Sequence, residues 1–156
     1  MTDAPAPVIR TAAKAVVLHD GRILLQRATW DGQECYFLPG GGQQPGESFA
    51  ATVVREVHEE TGLAVRVEQM LWLREYIGAH HDGDPADHRV EAIFACTPTS
   101  DPGQLGGHAH DDLQTGLEWV PQEKVPALNL LPHALREPIA ALATATPEAR
   151  YLGDIA

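Results

Sequence analysis

Cationic side chains are scarce in this chain. Eleven Lys and Arg stand against 22 Asp and Glu, a formal net charge of −11 with histidine neutral. A surface of that sign repels a bare nucleic-acid backbone and an anionic membrane, so neither is expected as a partner. A small anion stays open, because a bound divalent cation screens charge locally. Cysteine is scarcer still. Cys35 and Cys96 lie far apart and in no Cys-x-x-Cys pair, which sets aside a disulfide framework and reads as two buried, reduced thiols in a cytoplasmic protein. No apolar run reaches the roughly 20 residues that span a bilayer. Residues 1–7 have no basic stretch followed by an apolar core, so no secretion signal is expected. There is no internal repeat.

What is present has an ordinary globular composition. The chain has 156 residues, 44% hydrophobic and 21% charged, which suits one domain with its own core. Residues 1–7, rich in Pro and Ala, read as a loose arm, 8–146 as a single domain and 147–156 as a tail. Ala15-Val16-Val17-Leu18 marks a buried strand, Asp20-Gly21 a hairpin turn, and Ile23-Leu24-Leu25 the returning strand. Residues 26–33 are polar and contain Arg27 and Trp30, the latter either a loop anchor or an aromatic that stacks on a substrate ring. Strands follow at 36–38, 64–67, 70–77, 89–97 and 117–120, with a second helix at 132–145. Glu91, alone in an apolar strand, either faces solvent or points at the carboxylates described next. Of the two long loops, 78–88 carries His80, His81 and His88 among aspartates and reads as a solvated hairpin loop rather than a transition-metal site. The other, 98–115, holds Asp111 and Asp112.

Residues 41–63 carry the chemistry. Ser48 follows a Pro/Gly loop, and no Gly or Pro recurs until Gly62, so Ser48 caps and Gly62 closes a helix over 48–61. Helical spacing gathers Ala50, Val53, Val54, Val57 and Thr61 into a mostly apolar stripe. Glu56, Glu59 and Glu60 share the adjoining sector, bordered by Arg55. A solvated charged face usually interleaves Lys, and this helix has none. The preceding Leu38-Pro39-Gly40-Gly41-Gly42 keeps backbone close to the helix start. Hard divalent cations favour clustered carboxylate oxygens, and Mg²⁺ combines a few of them with substrate phosphates.

This stretch resembles the Nudix box, G-x5-E-x7-R-E-U-x-E-E-x-G-U with U a bulky aliphatic residue. Gly41, Glu47, Arg55, Glu56, Val57, Glu59, Glu60, Gly62 and Leu63 fill its defined positions. A chance match in a chain of this length has odds on the order of 10⁻⁷. The resemblance implies an α/β/α sandwich with a mixed sheet between helices. It also implies Mg²⁺- or Mn²⁺-dependent hydrolysis of the diphosphate linkage in a nucleoside diphosphate joined to another moiety: a nucleotide sugar, ADP-ribose, a dinucleoside polyphosphate or a (d)NTP. Carried over, Glu56, Glu59 and Glu60 with the Gly40 carbonyl match metal-ligand positions. Glu56 also matches a general base, and Arg55 the residue that orients the glutamates. Glu47 matches a structural ion-pair partner or outer ligand. Gly41 and Gly42, at a helix N-terminus, are expected to meet a phosphate, and Arg27 and Trp30 the rest of the substrate.

Where some relatives carry a further catalytic acid, this chain has Gln114, which cannot take a proton at neutral pH. Asp112, Glu91 or a box glutamate is left for that role. Leu131-Pro132-His133-Ala134 stands where purine-cleaning relatives carry two acids, and no downstream Pro or Tyr marks an ADP-ribose or dinucleoside-polyphosphate member. The alternative is a non-catalytic nucleotide-binding or sensor module, which should have lost box carboxylates; this chain keeps them. A prenyl-diphosphate isomerase would need an additional acid/base pair. Oligomeric state stays open; many members are homodimers, so by analogy alone a homodimer is one of the alternatives.

Overall fold

Two Asp-Gly turns build the first three strands. Asp20 and Gly21 both take left-handed backbone, φ 49° and 71°, the paired conformation of a type I′ turn. They join β1 (Arg10–His19) to β2 (Arg22–Trp30). Asp31 and Gly32 repeat the geometry at φ 50° and 75°, joining β2 to β3 (Gln33–Phe37). The polar segment 26–33 is therefore strand and turn rather than loop. The computed structural model describes residues 6–106, 114–145 and 147–156, so most of the expected N-terminal arm lies outside the described residues.

β1 and β2 stay paired only beside their turn, at Leu18↔Ile23 and His19↔Arg22. They then part, and β4 (Gly40–Gly42) takes the vacated edge of β1, with Ala12↔Gly42, Ala13↔Gly41 and Lys14↔Gly40. The other edge of β1 pairs in parallel with β6 (His88–Pro98). β6 pairs antiparallel with β5 (Val65–Ile77), and β7 (Gln114–Pro121) pairs with β2. The result is one eight-stranded mixed sheet in the order β3-β2-β1-β6-β5-β8, with β4 on β1 and β7 on β2. The two strands expected at 64–67 and 70–77 are a single β5, irregular in register between Val67 and Trp72. Residues 147–156 are not a free tail: β8 (Arg150–Asp154) pairs in parallel with β5 at Trp72↔Arg150 and Leu73↔Tyr151.

Helices cover both faces. α1 (Phe49–Thr61) starts where the Ser48 hydroxyl accepts the Ala51 N–H at 3.1 Å and ends at left-handed Gly62, whose N–H meets the His58 carbonyl. It packs Val53 and Val57 against Ala13, Ala15, Val17 and Leu24. Its buried face is rotated from the expected stripe: Val53, Val57 and Thr61 are buried as expected, but Val54 is 43% exposed and Ala50 is exposed, whereas Thr52, outside the stripe, is buried. Both threonines can be buried because their hydroxyls donate to the Ser48 and Val57 carbonyls. On the other face Val16, Leu25, Trp72 and Ile93 meet Leu135 and Ile139. Here the helix expected over 132–145 is shorter, a 3₁₀ turn (His133–Leu135) followed by α2 (Arg136–Ala141). Pro138 has no N–H and fits only a first helical turn, so α2 begins just before it. Cys35 and Cys96 are free and buried. Among the described residues no helix is long and apolar enough to cross a membrane.

Candidate active site

The parting of β1 and β2 opens the gap in which the glycine loop and the α1 carboxylates meet. Gly40 has φ 141°, and a Cβ there would lie 2.3 Å from the Ala13 carbonyl oxygen. At Gly41 a Cβ would meet the Glu56 carboxyl at 2.7 Å. Bare backbone at both positions lets β4 lie between β1 and the acidic face of α1.

Arg55 ties that face together. Its Nε and Nη2 donate to the two oxygens of Glu47 at 2.7 and 3.0 Å, and Nη2 also reaches the Gly42 carbonyl at 3.0 Å. Its Nη1 donates to Glu56 at 2.8 Å and Glu59 at 3.3 Å. Hydrogen bonds from Arg55, aided by the Gln44 N–H, pull the Glu47 carboxyl down to about 2. The Arg55 guanidinium is pushed above its ordinary value, its bonds to Glu47 outweighing burial. Arg55 thus joins the loop to the helix and holds Glu56 and Glu59 in set directions.

Glu60 turns the other way. It accepts the Gly40 N–H at 3.0 Å and a short hydrogen bond from the Gln26 amide. Burial pushes its carboxyl up to about 7, with neighbouring Glu56 adding to the rise and the Gly40 N–H and Lys14 opposing it. The Lys14 ammonium donates to the Gly40 carbonyl at 3.3 Å.

A carboxyl raised in the folded state contributes its stability below its unfolded value and loses it as pH rises through the folded one. Without metal, stability therefore falls as pH climbs from about 4.5 to about 7. Thermal melts in a chelator across that window should show this slope, and Glu60→Gln should flatten it.

The acidic face is not a closed ligand shell. Among the described residues no three His, Cys, Asp or Glu side chains are gathered closely enough to hold a metal ion, because Arg55 draws Glu56 and Glu59 one way while Gly40 and Gln26 draw Glu60 the other. The donor chemistry still fits a hard cation. Glu56 and Glu60, carboxylates of like charge, are pressed together beside the Gly40-Gly41 backbone, and the burial of Glu60 favours a positive neighbour.

Beside this face, on the side of the sheet away from α1, lies a cavity of about 410 Å³ walled by Trp30, Phe37, Leu38, Tyr76, Leu131 and Pro132, with Lys14, Arg74, Arg89 and Glu91 as its charged members. Trp30, 61% exposed, stands at the end of β2 rather than in a loop. Glu91 meets neither expectation. It is 3% exposed and takes Arg74 Nε and Nη2 at 2.8 Å each, with Arg89 3.6 Å away. Strand alternation places it on the face of Ile93, opposite α1. Arg27 lies outside the cavity wall, 3.9 Å from Glu34 and 3.8 Å from Glu118. His80 and His81 each bond to a different oxygen of Asp154 at 2.8 Å. Burial is the largest single effect on that carboxyl and raises it, but bonds from His80, the Ile77 N–H and His81 prevail and hold it near 2. Asp112 lies outside the described residues, as do His108, His110 and Asp111.

Lys14, Gln26 and Arg74 are site residues that pattern reading passes over. Each is a polar interruption of an apolar strand, the same signal that marks Glu91, and it identifies an inward-facing polar group only once its neighbours are known.

The NUDIX domain family matches residues 8–142. An ADP-ribose pyrophosphatase of Methanocaldococcus jannaschii is 34% identical over 84 residues, 53% of this chain and 47% of that protein. A putative ADP-ribose pyrophosphatase, YjhB, of Bacillus subtilis is 28% identical over 126 residues, 79% of this chain and 55% of that protein. This chain therefore spans about half the length of these curated relatives. Among solved structures, the E. coli ORF135 protein superposes with a TM-score of 0.67 at 26% identity, over 89% of this chain and 94% of the other.

Proposed function

The chain belongs to the NUDIX domain family, and on that footing we propose that it is a divalent-metal-dependent hydrolase cleaving the diphosphate linkage of a nucleoside diphosphate joined to another moiety. One observation carries the reading: Glu56 and Glu60 crowd together where Glu60 accepts the Gly40 N–H, with Arg55 orienting Glu56 and Glu59. Mg²⁺ or Mn²⁺, held by Glu56, Glu59, Glu60 and the Gly40 carbonyl, would neutralise charge on the phosphate oxygens and acidify bound water. Glu56 takes the proton of the attacking water. Gly41 and Gly42 present backbone to the diphosphate, and the aromatic cavity takes the nucleoside. ADP-ribose is the first substrate to test, because the Methanocaldococcus jannaschii relative named above is an ADP-ribose pyrophosphatase.

The same reading puts the chain in the cytoplasm, in keeping with its two free thiols, and its acidity argues against nucleic acid as a partner. Oligomeric state, with a homodimer among the alternatives, is tested by light scattering. The unclosed ligand set is the feature that favours the alternative, a nucleotide-binding module without turnover.

Phosphatase-coupled phosphate release from nucleotide sugars, ADP-ribose, dinucleoside polyphosphates and deoxynucleoside triphosphates, with and without Mg²⁺, separates the two. Metal-dependent release from any of them supports the hydrolase; binding without release supports the module. A second expectation needs no substrate. A ligand at 100 times its Kd stabilises the folded state by about 2.7 kcal/mol, so saturating Mg²⁺ should raise Tm by roughly 5–10 °C. Glu56→Gln should remove most of that rise.

A further inference from the structure

Lys14 sits between two fully buried alanines, Ala13 and Ala15, and is itself half-buried. Among the described residues it forms no ion pair, and its one hydrogen bond is the 3.3 Å contact to the Gly40 carbonyl. An ammonium has three N–H donors, so two are uncommitted. They stand where the cavity wall, which includes Lys14, meets the acidic end of the site. Of the other cations of that wall, Arg74 is held by Glu91 and the Ile155 carbonyl, and Arg89 lies 3.1 Å from Asp87 and 4.8 Å over the Tyr76 ring, its Nε making no hydrogen bond among the described residues. A half-buried cation with spare donors is costly unless an anion joins it.

We propose that Lys14 binds the phosphate nearest the ring held in the cavity, and that until a cation arrives its ammonium occupies the Gly40 carbonyl. The assignment rests on the hydrolase reading above. Tyr76 already carries His81 on its ring and Arg89 over it, so a ring in the cavity lies against Trp30, with its first phosphate on the Lys14 side. There a charge-assisted hydrogen bond to phosphate adds to whatever the metal supplies. Lys14 also stands against a divalent cation at Gly40, because two positive charges a few ångströms apart repel. One residue therefore acts with opposite sign on the two ligands, weakening metal binding alone and strengthening nucleotide binding. A side chain that merely filled space would not strengthen nucleotide binding.

The test is calorimetric titration of the wild type, Lys14→Met and Lys14→Arg with three probes: Mn²⁺ alone, non-hydrolysable α,β-methylene-ADP at saturating Mn²⁺, and adenosine. Lys14→Met keeps the aliphatic stem and should bind Mn²⁺ alone several-fold more tightly. It should bind the ADP analogue about 10- to 100-fold more weakly and adenosine unchanged. Lys14→Arg should restore analogue binding to within a few-fold. Analogue affinity within twofold of wild type in Lys14→Met overturns the assignment while leaving the hydrolase reading intact, as does parallel weakening of Mn²⁺ and analogue, which signals a collapsed site. A wild type that binds neither Mn²⁺ nor the analogue overturns both.

Discussion

Glu56→Gln is expected to lower turnover by about 10²- to 10⁴-fold, the usual contribution of a positioned general base, while the folded structure persists. The substitution removes one charge and almost no volume. Gln keeps an oxygen for Arg55 Nη1, now 2.8 Å from Glu56, so the network through Glu47 and the Gly42 carbonyl survives. What is lost is the carboxylate proposed as proton acceptor and metal ligand, at the place where Gly41 leaves no room for a Cβ. Replacing Glu59 should cost less, because its side chain is 42% exposed and its bond to Arg55 is longer, 3.3 Å. Steady-state rates at saturating metal, with circular dichroism as the check on folding, measure this. Equal losses for Glu56→Gln and Glu59→Gln would remove Glu56 from the role of base.

Arg74→Met is expected to destabilise the protein by about 3 kcal/mol, near the lower end for a broken buried ion pair, lowering Tm by roughly 6–12 °C. Arg74 and Glu91 are 6% and 3% exposed, and two guanidinium nitrogens face Glu91 Oε2 at 2.8 Å. Removing the cation strands a carboxylate beside the cavity. Arg89, 3.6 Å from its other oxygen, shields it in part, which keeps the cost from being larger. Arg74 also holds the Ile155 carbonyl at 2.8 Å and so fastens the strand β8 side of the sheet. Adding Glu91→Gln to Arg74→Met should recover much of the loss by removing the stranded charge, which a double-mutant cycle in urea would quantify. No recovery would mean that the packing of the Arg74 stem, rather than the ion pair, carries the stability.

The helix of the site was legible because its signals are local. Ser48, Gly62 and the glutamate spacing lie within one short stretch, and each states its own geometry. The Asp20-Gly21 turn was legible for the same reason. Asp31-Gly32 carries the same signature, but the polar residues ahead of it, Gln26 and Arg27, mask a strand. They are polar because they meet Glu60, Glu34 and Glu118 across the chain, and no local pattern contains those partners. Glu91 resisted reading likewise, since its partner Arg74 stands on a neighbouring strand. The rotation of α1 toward Thr52 depends on a hydroxyl that donates back to the Ser48 carbonyl, so that a residue left out of the apolar stripe is buried. The edge strand β8 depends on β5 offering it an open edge.

On the hydrolase reading the acidic face of α1, once metal-loaded, cleaves a nucleoside diphosphate linkage. That reading is tested most directly by incubating the wild type with ADP-ribose over a Mg²⁺ titration and separating the products by ion-exchange chromatography. AMP and ribose 5-phosphate should appear in equal amounts, rising with Mg²⁺ and abolished by chelator. ADP-ribose that binds at saturating Mg²⁺, as followed by calorimetry, yet stays intact at every Mg²⁺ and Mn²⁺ concentration would contradict the hydrolase reading and favour a binding module.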